Sequence, residues 1–267
     1  YEVGPAMTIP MALLAAECLA LGLLAPFVVK VLAPAIGILS GMSTATIDRS
    51  IETMADLLEQ LGGVPLDRIR FHPPPGTATE RDVLEAEQRD NRLCELVDGV
   101  LVEKAMGYRE AILAGALVRL LANFVVPRNL GHVAGADGMV RLFPGLIRIP
   151  DVAFASWDCF PEGRLPEDPI PDLAPDLVVE VLSRSNTSRE MRRKLREYFA
   201  AGVRLVWMGD LEQRTVTVHT DVDACAAFDE AACLDGGAVL PGFVLPLRDL
   251  FSELDRQRSG PPSGSTT

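Results

Sequence analysis

The chain has 267 residues, of which 48% are hydrophobic, 23% charged and 6% aromatic, a composition typical of globular proteins and unlike disordered or collagen-like ones. Lysine and arginine total 25 against 37 acidic residues, so the net charge of −12 excludes a basic surface over the whole molecule and leaves only a local patch for nucleic acid. Five widely spaced cysteines without a CxxC pair disfavour a disulfide scaffold and indicate a reducing, cytoplasmic location.

The first 41 residues differ from the rest in charge. Their only charged residues are Glu2, Glu17 and Lys30, and most of the others are apolar. A membrane span is disfavoured because Glu17 and Lys30 interrupt the apolar stretch and several prolines break it. We interpret residues 1–41 as an upstream extension of the reading frame and expect a chain that starts at Met42 to be soluble and folded. A membrane anchor and an additional pair of buried helices are the alternatives.

Residues 42–83 are predicted to form a helical segment and a linker. Apolar and acidic residues recur at helical spacing over residues 51–61, and two glycines follow. Three prolines and a glycine at 73–76 indicate a loop. Thr79 begins a short helix that extends to about Arg89.

The main globular domain is predicted at residues 84–254. A DG turn at residues 98–99 separates two alternating runs, 93–97 and 100–103, which is typical of a β-hairpin. A long helix follows at 108–126, with leucines on one face.

The second half alternates strands and helices. Strands are predicted at 132–134, 138–142, 148–155, 176–182, 203–208 and 214–219, with a loop at 156–172. A capping box at Thr187 and Glu190 begins a helix over 188–201, and Gly202 ends it. Residues 225–239 and 243–247 indicate a small antiparallel edge, 246–254 a closing helix and 255–267 a disordered tail. This order predicts an α/β or α+β fold with a mixed central sheet, flanking helices and an N-terminal hairpin.

Two acidic residues stand where burial is costly. Asp151 follows Pro150 at the head of an apolar strand, and Glu180 lies in the middle of the valine-rich strand DLVVEVL. A buried carboxylate is unfavourable unless it is paired or binds a metal ion. Two such acids at neighbouring strand ends favour a hard divalent cation, most naturally Mg²⁺. Alternatively, Glu180 pairs with a basic residue or faces solvent.

The helix after Glu180 supplies cations. Lys194 is predicted on the flank of its apolar stripe, where it reaches the strand end or remains solvated and contributes little packing. Basic side chains around it form a candidate phosphate-binding patch, or else a solvated helix face: Arg184, Arg189, Arg192 and Arg193. Glu95, on the first hairpin strand, is a third acidic candidate, although alternation also allows it to face outward.

Five segments in this order resemble the Uma2 family of restriction endonucleases, which is assigned to the PD-(D/E)XK nuclease superfamily: CELVDGVLVEKAMG, IRIPDVAFAS, PDLVVEVLSRSN, KLREYFAAGVRLVWMGD and VLPGFVLPLRDLF. The resemblance implies a restriction-endonuclease-like sheet flanked by helices. It implies that Asp151 and Glu180 are the metal-binding acids and that Glu95 is the early acid of the family.

The chain departs from the superfamily pattern at two positions. The usual lysine position, two residues after the second acid, is Leu182, and the family pattern places a lysine on the next helix, at Lys194, with Tyr198 one turn later. Many members have a histidine at the start of the long helix, where this chain has Tyr108, Arg109 and Glu110.

The resemblance and the residue chemistry together predict a Mg²⁺- or Mn²⁺-dependent endonuclease that hydrolyses DNA. A second copy of the chain, in a homodimer, is the other candidate partner. Asp151 and Glu180 are expected about 4–6 Å apart, so that one cation bridges them, with Lys194 orienting the water or neutralising charge on the phosphate. The alternative is a catalytically weak protein of the same fold that binds nucleic acid or a protein. Contact with a membrane follows only if residues 1–41 are a genuine anchor.

Overall fold

The computed structural model describes residues 51–257, and these elements lie in one compact unit that begins at Thr53. The predicted N-terminal extension and the end of the predicted tail lie outside the described residues. Five α-helices are found in this part of the chain: α1 (Met54–Gln60), α2 (Glu80–Asp90), α3 (Tyr108–Val125), α4 (Ser188–Ala201) and α5 (Leu247–Ser252). Its strands are β1 (Cys94–Val97), β2 (Val100–Glu103), β3 (Gly131–Ala134), β4 (Val140–Phe143), β5 (Leu146–Arg148), β6 (Val152–Ser156), β7 (Leu177–Leu182), β8 (Leu205–Asp210), β9 (Thr215–His219), β10 (Cys225–Asp229), β11 (Cys233–Gly236) and β12 (Leu240–Pro246).

The larger sheet has six strands in the order β10-β9-β8-β7-β6-β3, and only the pair β7–β8 is parallel. Helix α4 makes the crossover between these two strands, as parallel neighbours require. Strand β7 is buried on both faces because it is apolar at successive positions, apart from Glu180. The mixed sheet predicted from the sequence is confirmed.

Alternation along β7 assigns its side chains to two helices. Leu177, Val179 and Val181 belong to the core that α3 covers, whereas Val178 packs with Met191, Leu195 and Tyr198 of α4. Glu180 lies on the α4 face, since successive residues of a strand point to opposite sides. By composition α3 is apolar enough to span a membrane, but its leucine face is buried against this sheet, which accounts for its apolarity.

The smaller sheet has four antiparallel strands in the order β2-β1-β5-β4, and it contains the predicted hairpin as β1 and β2. Helix α2 packs on one face, and residues of α1 pack on the other. Strands β11 and β12 form a separate antiparallel ribbon, whereas β10 joins the larger sheet, so the small antiparallel edge predicted at 225–239 and 243–247 is divided between two sheets.

The strand predicted at 148–155 is also two strands. Arg148 ends β5 in the smaller sheet, and Val152 begins β6 in the larger one. Pro150 lies between them and has no N–H for a ladder, so the chain leaves one sheet and enters the other at this point. The break places Asp151 at the junction of the two sheets.

A buried ion pair holds the start of α4. Arg68, in the 3₁₀ turn Leu66–Arg68, donates to both carboxylate oxygens of Glu190, at 3.1 and 2.9 Å. Glu190 also completes the capping box with Thr187. The N-terminal segment is thereby tied to the crossover helix.

Arg68→Met should lower the free energy of unfolding by about 3–5 kcal/mol, because it leaves the Glu190 carboxylate buried without its cation. Arg119→Met is the matched control: Arg119 pairs with Glu253 at 2.6 Å, but its side chain is 53% exposed. That loss should be at most about 1 kcal/mol. Urea unfolding of both variants measures the difference, and equal losses would contradict the assignment.

Candidate functional site

Asp151 is fixed beside Glu180 by contacts with strand β7. Its N–H donates to the carbonyl of Val179 at 3.1 Å, and its Oδ2 accepts from the N–H of Val181 at 2.6 Å. These two residues flank Glu180 in β7. The structure therefore brings together the two acids that the sequence singled out, with 4% and 5% of their surfaces exposed.

Glu180 faces helix α4, as expected from the strand alternation. Its Oε1 accepts from the ammonium of Lys194 at 3.0 Å and from the hydroxyl of Tyr198 in a short hydrogen bond. Both donors lie on α4, one turn apart, so the helix presents two hydrogen-bond donors to one carboxylate oxygen. The alternative in which Glu180 faces solvent is excluded.

Lys194 is more deeply buried than its predicted position on the helix flank suggests. Only 3% of it is exposed, and its Nζ lies 3.0 Å from Glu95 as well as 3.0 Å from Glu180. The expectation that it contributes little packing is wrong, since Glu95 of the smaller sheet contacts the flank that helix periodicity leaves open. Lys194 links the acids of two sheets.

Glu95 points inward and is almost fully buried. Besides Lys194, it accepts from Arg148 at 2.7 Å and from the N–H of Ile149 at 3.2 Å. Arg148 in turn donates to Glu197 of α4 in a short hydrogen bond. Glu95 therefore belongs to the same charged network as Glu180, although it contacts Asp151 through no hydrogen bond in the described structure.

Lys104 is a member of the site that sequence reasoning missed. Its Nζ lies 2.9 Å from Oδ1 of Asp151 and donates to the carbonyl of Ile149 at 2.6 Å. The one signal in the sequence was alternation: Lys104 continues the inward register of β2 after Val102, and its N–H still pairs with Leu93. Arg148 was missed as well, because nothing local distinguishes it from a surface arginine.

The network is close to neutral. Its four carboxylates, those of Glu95, Asp151, Glu180 and Glu197, contact four cations: Lys104, Arg148, Arg193 and Lys194. A divalent cation would therefore add positive charge to a balanced site unless it displaced one of these side chains.

Burial and neighbouring charges shift the two glutamates in opposite directions. Burial raises the pKa of Glu180, and the nearby carboxylates of Asp151 and Glu95 raise it further, although the charge of Lys194 opposes them. Burial also acts to raise the pKa of Glu95, but Lys194 and Arg148 outweigh it and lower this pKa well below its ordinary value of 4.5. Glu95 is thus held ionised, whereas burial disfavours the ionised form of Glu180 and an additional cation beside it would favour that form.

The arginines of the predicted phosphate-binding patch are dispersed. Arg184 is exposed and pairs with Glu212 at 3.3 Å, and Arg192 is exposed and pairs with Asp223 at 2.8 Å. Arg193 is only 17% exposed, because it pairs with Glu197 and Asp98. Arg189 lies on the exposed surface of α4. Acidic partners therefore offset much of the local positive charge that the sequence suggested.

A cleft of about 600 Å³ opens beside the buried acids. Lys104, Arg109, Ser183 and Arg184 are among its lining residues, and Glu212 lies between the two arginines. Asp151 and Glu180 do not line the cleft themselves. Lys104 is the residue that both lines the cleft and contacts an acid of the site.

The donor set fits a hard divalent cation. Among residues 51–257 no three His, Cys, Asp or Glu side chains are arranged to hold a metal ion, so the site offers the pair Asp151 and Glu180. Mg²⁺ is usually held by one or two carboxylates and completes its shell with waters and substrate phosphates. The oxygen-only pair fits Mg²⁺ or Mn²⁺ and disfavours zinc, which prefers nitrogen and sulfur ligands.

Protein stability should fall as the pH decreases below about 4.5, the ordinary pKa of a glutamate. Below that pH Glu95 takes up a proton in the unfolded chain but stays ionised in the folded one, so the unfolded state binds more protons. Its contribution reaches at most about 1.4 kcal/mol per pH unit.

Glu95→Gln should flatten this slope in urea-unfolding measurements between pH 3 and pH 5. Glu87→Gln, which removes an exposed carboxylate of α2, is the control and should keep the wild-type slope. An unchanged slope in Glu95→Gln would show that Glu95 is not held ionised.

Comparisons with known proteins agree with this architecture. A model of the Uma2 family, described as "Putative restriction endonuclease", matches residues 80–248, more than half of the chain. A crystal structure from Anabaena variabilis, described as a putative nuclease belonging to DUF820, is 21% identical, with a TM-score of 0.55 over 61% of this chain and 92% of that chain. This likeness shows a shared restriction-endonuclease-like fold. The comparison with curated proteins gave no match.

Proposed function

The chain belongs to the Uma2 family, and from this membership and the site we propose that it is a metal-dependent endonuclease that hydrolyses phosphodiester bonds of DNA. One observation carries the proposal: two buried carboxylates, Asp151 and Glu180, lie side by side at a junction of two sheets, next to an open cleft. Buried acids are costly even when Lys104 and Lys194 neutralise them, and a role in binding a divalent cation would account for that cost.

Asp151 and Glu180 would hold Mg²⁺ or Mn²⁺. When bound, the metal lowers the pKa of a coordinated water and polarises the phosphate. Val181 contributes by fixing Oδ2 of Asp151 through its N–H, and Oδ1 is the oxygen that contacts a cation, which is the ammonium of Lys104 in this structure.

Lys194 and Tyr198 act as positioning residues in this proposal. Both donate to the same oxygen of Glu180, which leaves the other oxygen of that carboxylate for the metal. Lys194 also contacts Glu95, so its ammonium is fixed between the two glutamates and balances their charge. This arrangement orients Glu180, and the charge of Lys194 opposes the increase in its pKa that burial causes.

The cleft would hold the sugar-phosphate backbone. Arg109 and Arg184 are exposed at its edge, and Glu212 lies within 3.9 and 3.3 Å of them. Phosphate oxygens would compete with Glu212 for these guanidinium groups, as bidentate arginine contacts with phosphate are strong. Because the whole chain has a net charge of −12, its affinity for DNA should be modest and sensitive to salt concentration.

A second function is a binding protein of the same fold without cleavage activity. It is favoured by the observation that neither Asp151 nor Glu180 lines the cleft.

Under either function we place the protein in the cytoplasm, since four cysteines in the described residues are free.

Asp151→Asn and Glu180→Gln should each reduce Mg²⁺- or Mn²⁺-dependent cleavage of plasmid DNA by about 10³-fold or more, because each removes a charged metal ligand. Asp223→Asn is the control, since Asp223 is an exposed acid that pairs with Arg192. Cleavage by both site variants at the wild-type rate would exclude the proposed site. Metal-dependent binding of DNA without cleavage by the wild type would favour the binding protein.

Lys194→Met should lower the free energy of unfolding by about 3–5 kcal/mol, because it leaves two buried carboxylates without their shared cation. It should also abolish cleavage at temperatures at which the variant is still folded. Arg196→Met, an exposed position on the same helix, should change stability by no more than about 0.5 kcal/mol.

Lys194→Arg should recover little of the stability and cleavage activity that Lys194→Met loses. The larger guanidinium cannot take the place of an ammonium held between two carboxylates. Chemical denaturation and plasmid cleavage measure both effects. A stable and fully active Lys194→Met variant would contradict the positioning role.

A further inference from the structure

The two lysines of the site differ in how firmly they are held. Lys194 contacts two carboxylates and lies within the buried face of α4, between two sheets. Lys104 contacts one carboxylate and one carbonyl, follows the end of β2, and lines the cleft. Only Lys104 therefore has both a single acidic partner and a route towards solvent.

We infer that Lys104 is an exchangeable cation: it neutralises Asp151 until a divalent metal binds there, and its ammonium then moves into the cleft and binds a phosphate oxygen of the substrate. The inference rests on the proposed function, since it takes Asp151 as a metal ligand. It assigns to Lys104 a direct contact with substrate that neither the sequence patterns nor the family resemblance indicated.

Competition follows from the geometry at Asp151. Oδ2 of this carboxylate is occupied by the N–H of Val181, so Oδ1 is the oxygen left for a cation. The ammonium of Lys104 lies 2.9 Å from Oδ1, and a metal ion bound to that oxygen would lie too close to the ammonium for both positive charges to remain. A divalent ion binds a carboxylate more strongly than an ammonium does, so the lysine is displaced.

Displacement requires movement of the side chain alone. The N–H of Lys104 is held by the carbonyl of Leu93 at 2.8 Å, which fixes the backbone, while the four-carbon stem is flexible. The cleft offers Ser183 and Ser185 as hydroxyl partners beside the incoming phosphate. The lysine thus exchanges a carboxylate for a phosphate and is never left buried without an anion.

Lys104→Met tests the exchange because it removes the competing cation while retaining the apolar stem. The apparent affinity for Mn²⁺, measured by calorimetry without DNA, should increase about tenfold, since metal binding no longer breaks an ion pair. Without metal the variant should melt at a lower temperature, and Mn²⁺ should raise its melting temperature more than that of the wild type. Lys104→Gln, which retains a hydrogen-bond donor, serves if the methionine variant folds poorly.

Arg141→Met is the matched control, because Arg141 of β4 forms a partly buried ion pair with Glu80 at 2.6 Å and its acidic partners lie outside the acid network. Its affinity for Mn²⁺ should equal that of the wild type. A second measurement tests the phosphate contact: with Ca²⁺ present, fluorescence anisotropy should show that Lys104→Met binds a DNA duplex about tenfold more weakly, with a salt slope reduced by about 1.

The outcomes separate the inference from the proposed function. Binding of Mn²⁺ by the wild type but not by Asp151→Asn would support the metal site. If Lys104→Met then binds Mn²⁺ no more tightly than the wild type, the proposed displacement of Lys104 is wrong, although the metal site is retained. Unchanged DNA binding by Lys104→Met would also overturn it. If the wild type binds no Mn²⁺ at all, the proposed function itself fails.

Discussion

The structure depends on one electrostatic constraint: the carboxylates at the junction of the two sheets must be buried together with the cations that neutralise them. Glu95 comes from the smaller sheet, Glu180 from the larger sheet and Asp151 from the segment between them. Lys104, Arg148 and Lys194 connect these acids across the junction. None of these three acids shares a strand or helix with the cation that balances it, so the junction is assembled from several separate segments of the described chain.

This constraint relates stability to the proposed chemistry. The N–H of Val181 and the donors on α4 each hold one oxygen of an acid, which orients the carboxylates before any ligand arrives. Such preorganisation is what a metal site needs, and it is obtained by burying charge at a cost in free energy. Residues that neutralise the acids are therefore expected to affect folding and activity together.

Much of this could be predicted from the sequence because the relevant signals are local. The valines around Glu180 identify a central strand, the capping box at Thr187 begins α4, and the DG turn defines the hairpin. The ion pairs across the junction could not be predicted from the sequence as readily, because they join residues that share no local sequence pattern. Arg148 and Lys104 are examples, and the break at Pro150 depends on two sheets meeting there rather than on strand propensity. The burial of Lys194 was underestimated for the same reason, since one helix viewed alone cannot show what covers its flank.

The crossover through α4 also has a consequence for the order in which the chain assembles. Glu95 and Lys194 are about 100 residues apart in the chain, and β8, the parallel partner of β7, follows α4. A nascent chain that has completed only the hairpin would keep Glu95 hydrated, because its cations from later segments have not yet emerged. Contacts of such long separation slow folding, and they concentrate the gain in stability in a late, cooperative step. During synthesis, the junction would therefore form only after α4 has emerged, and it would enclose carboxylates that water had solvated until then.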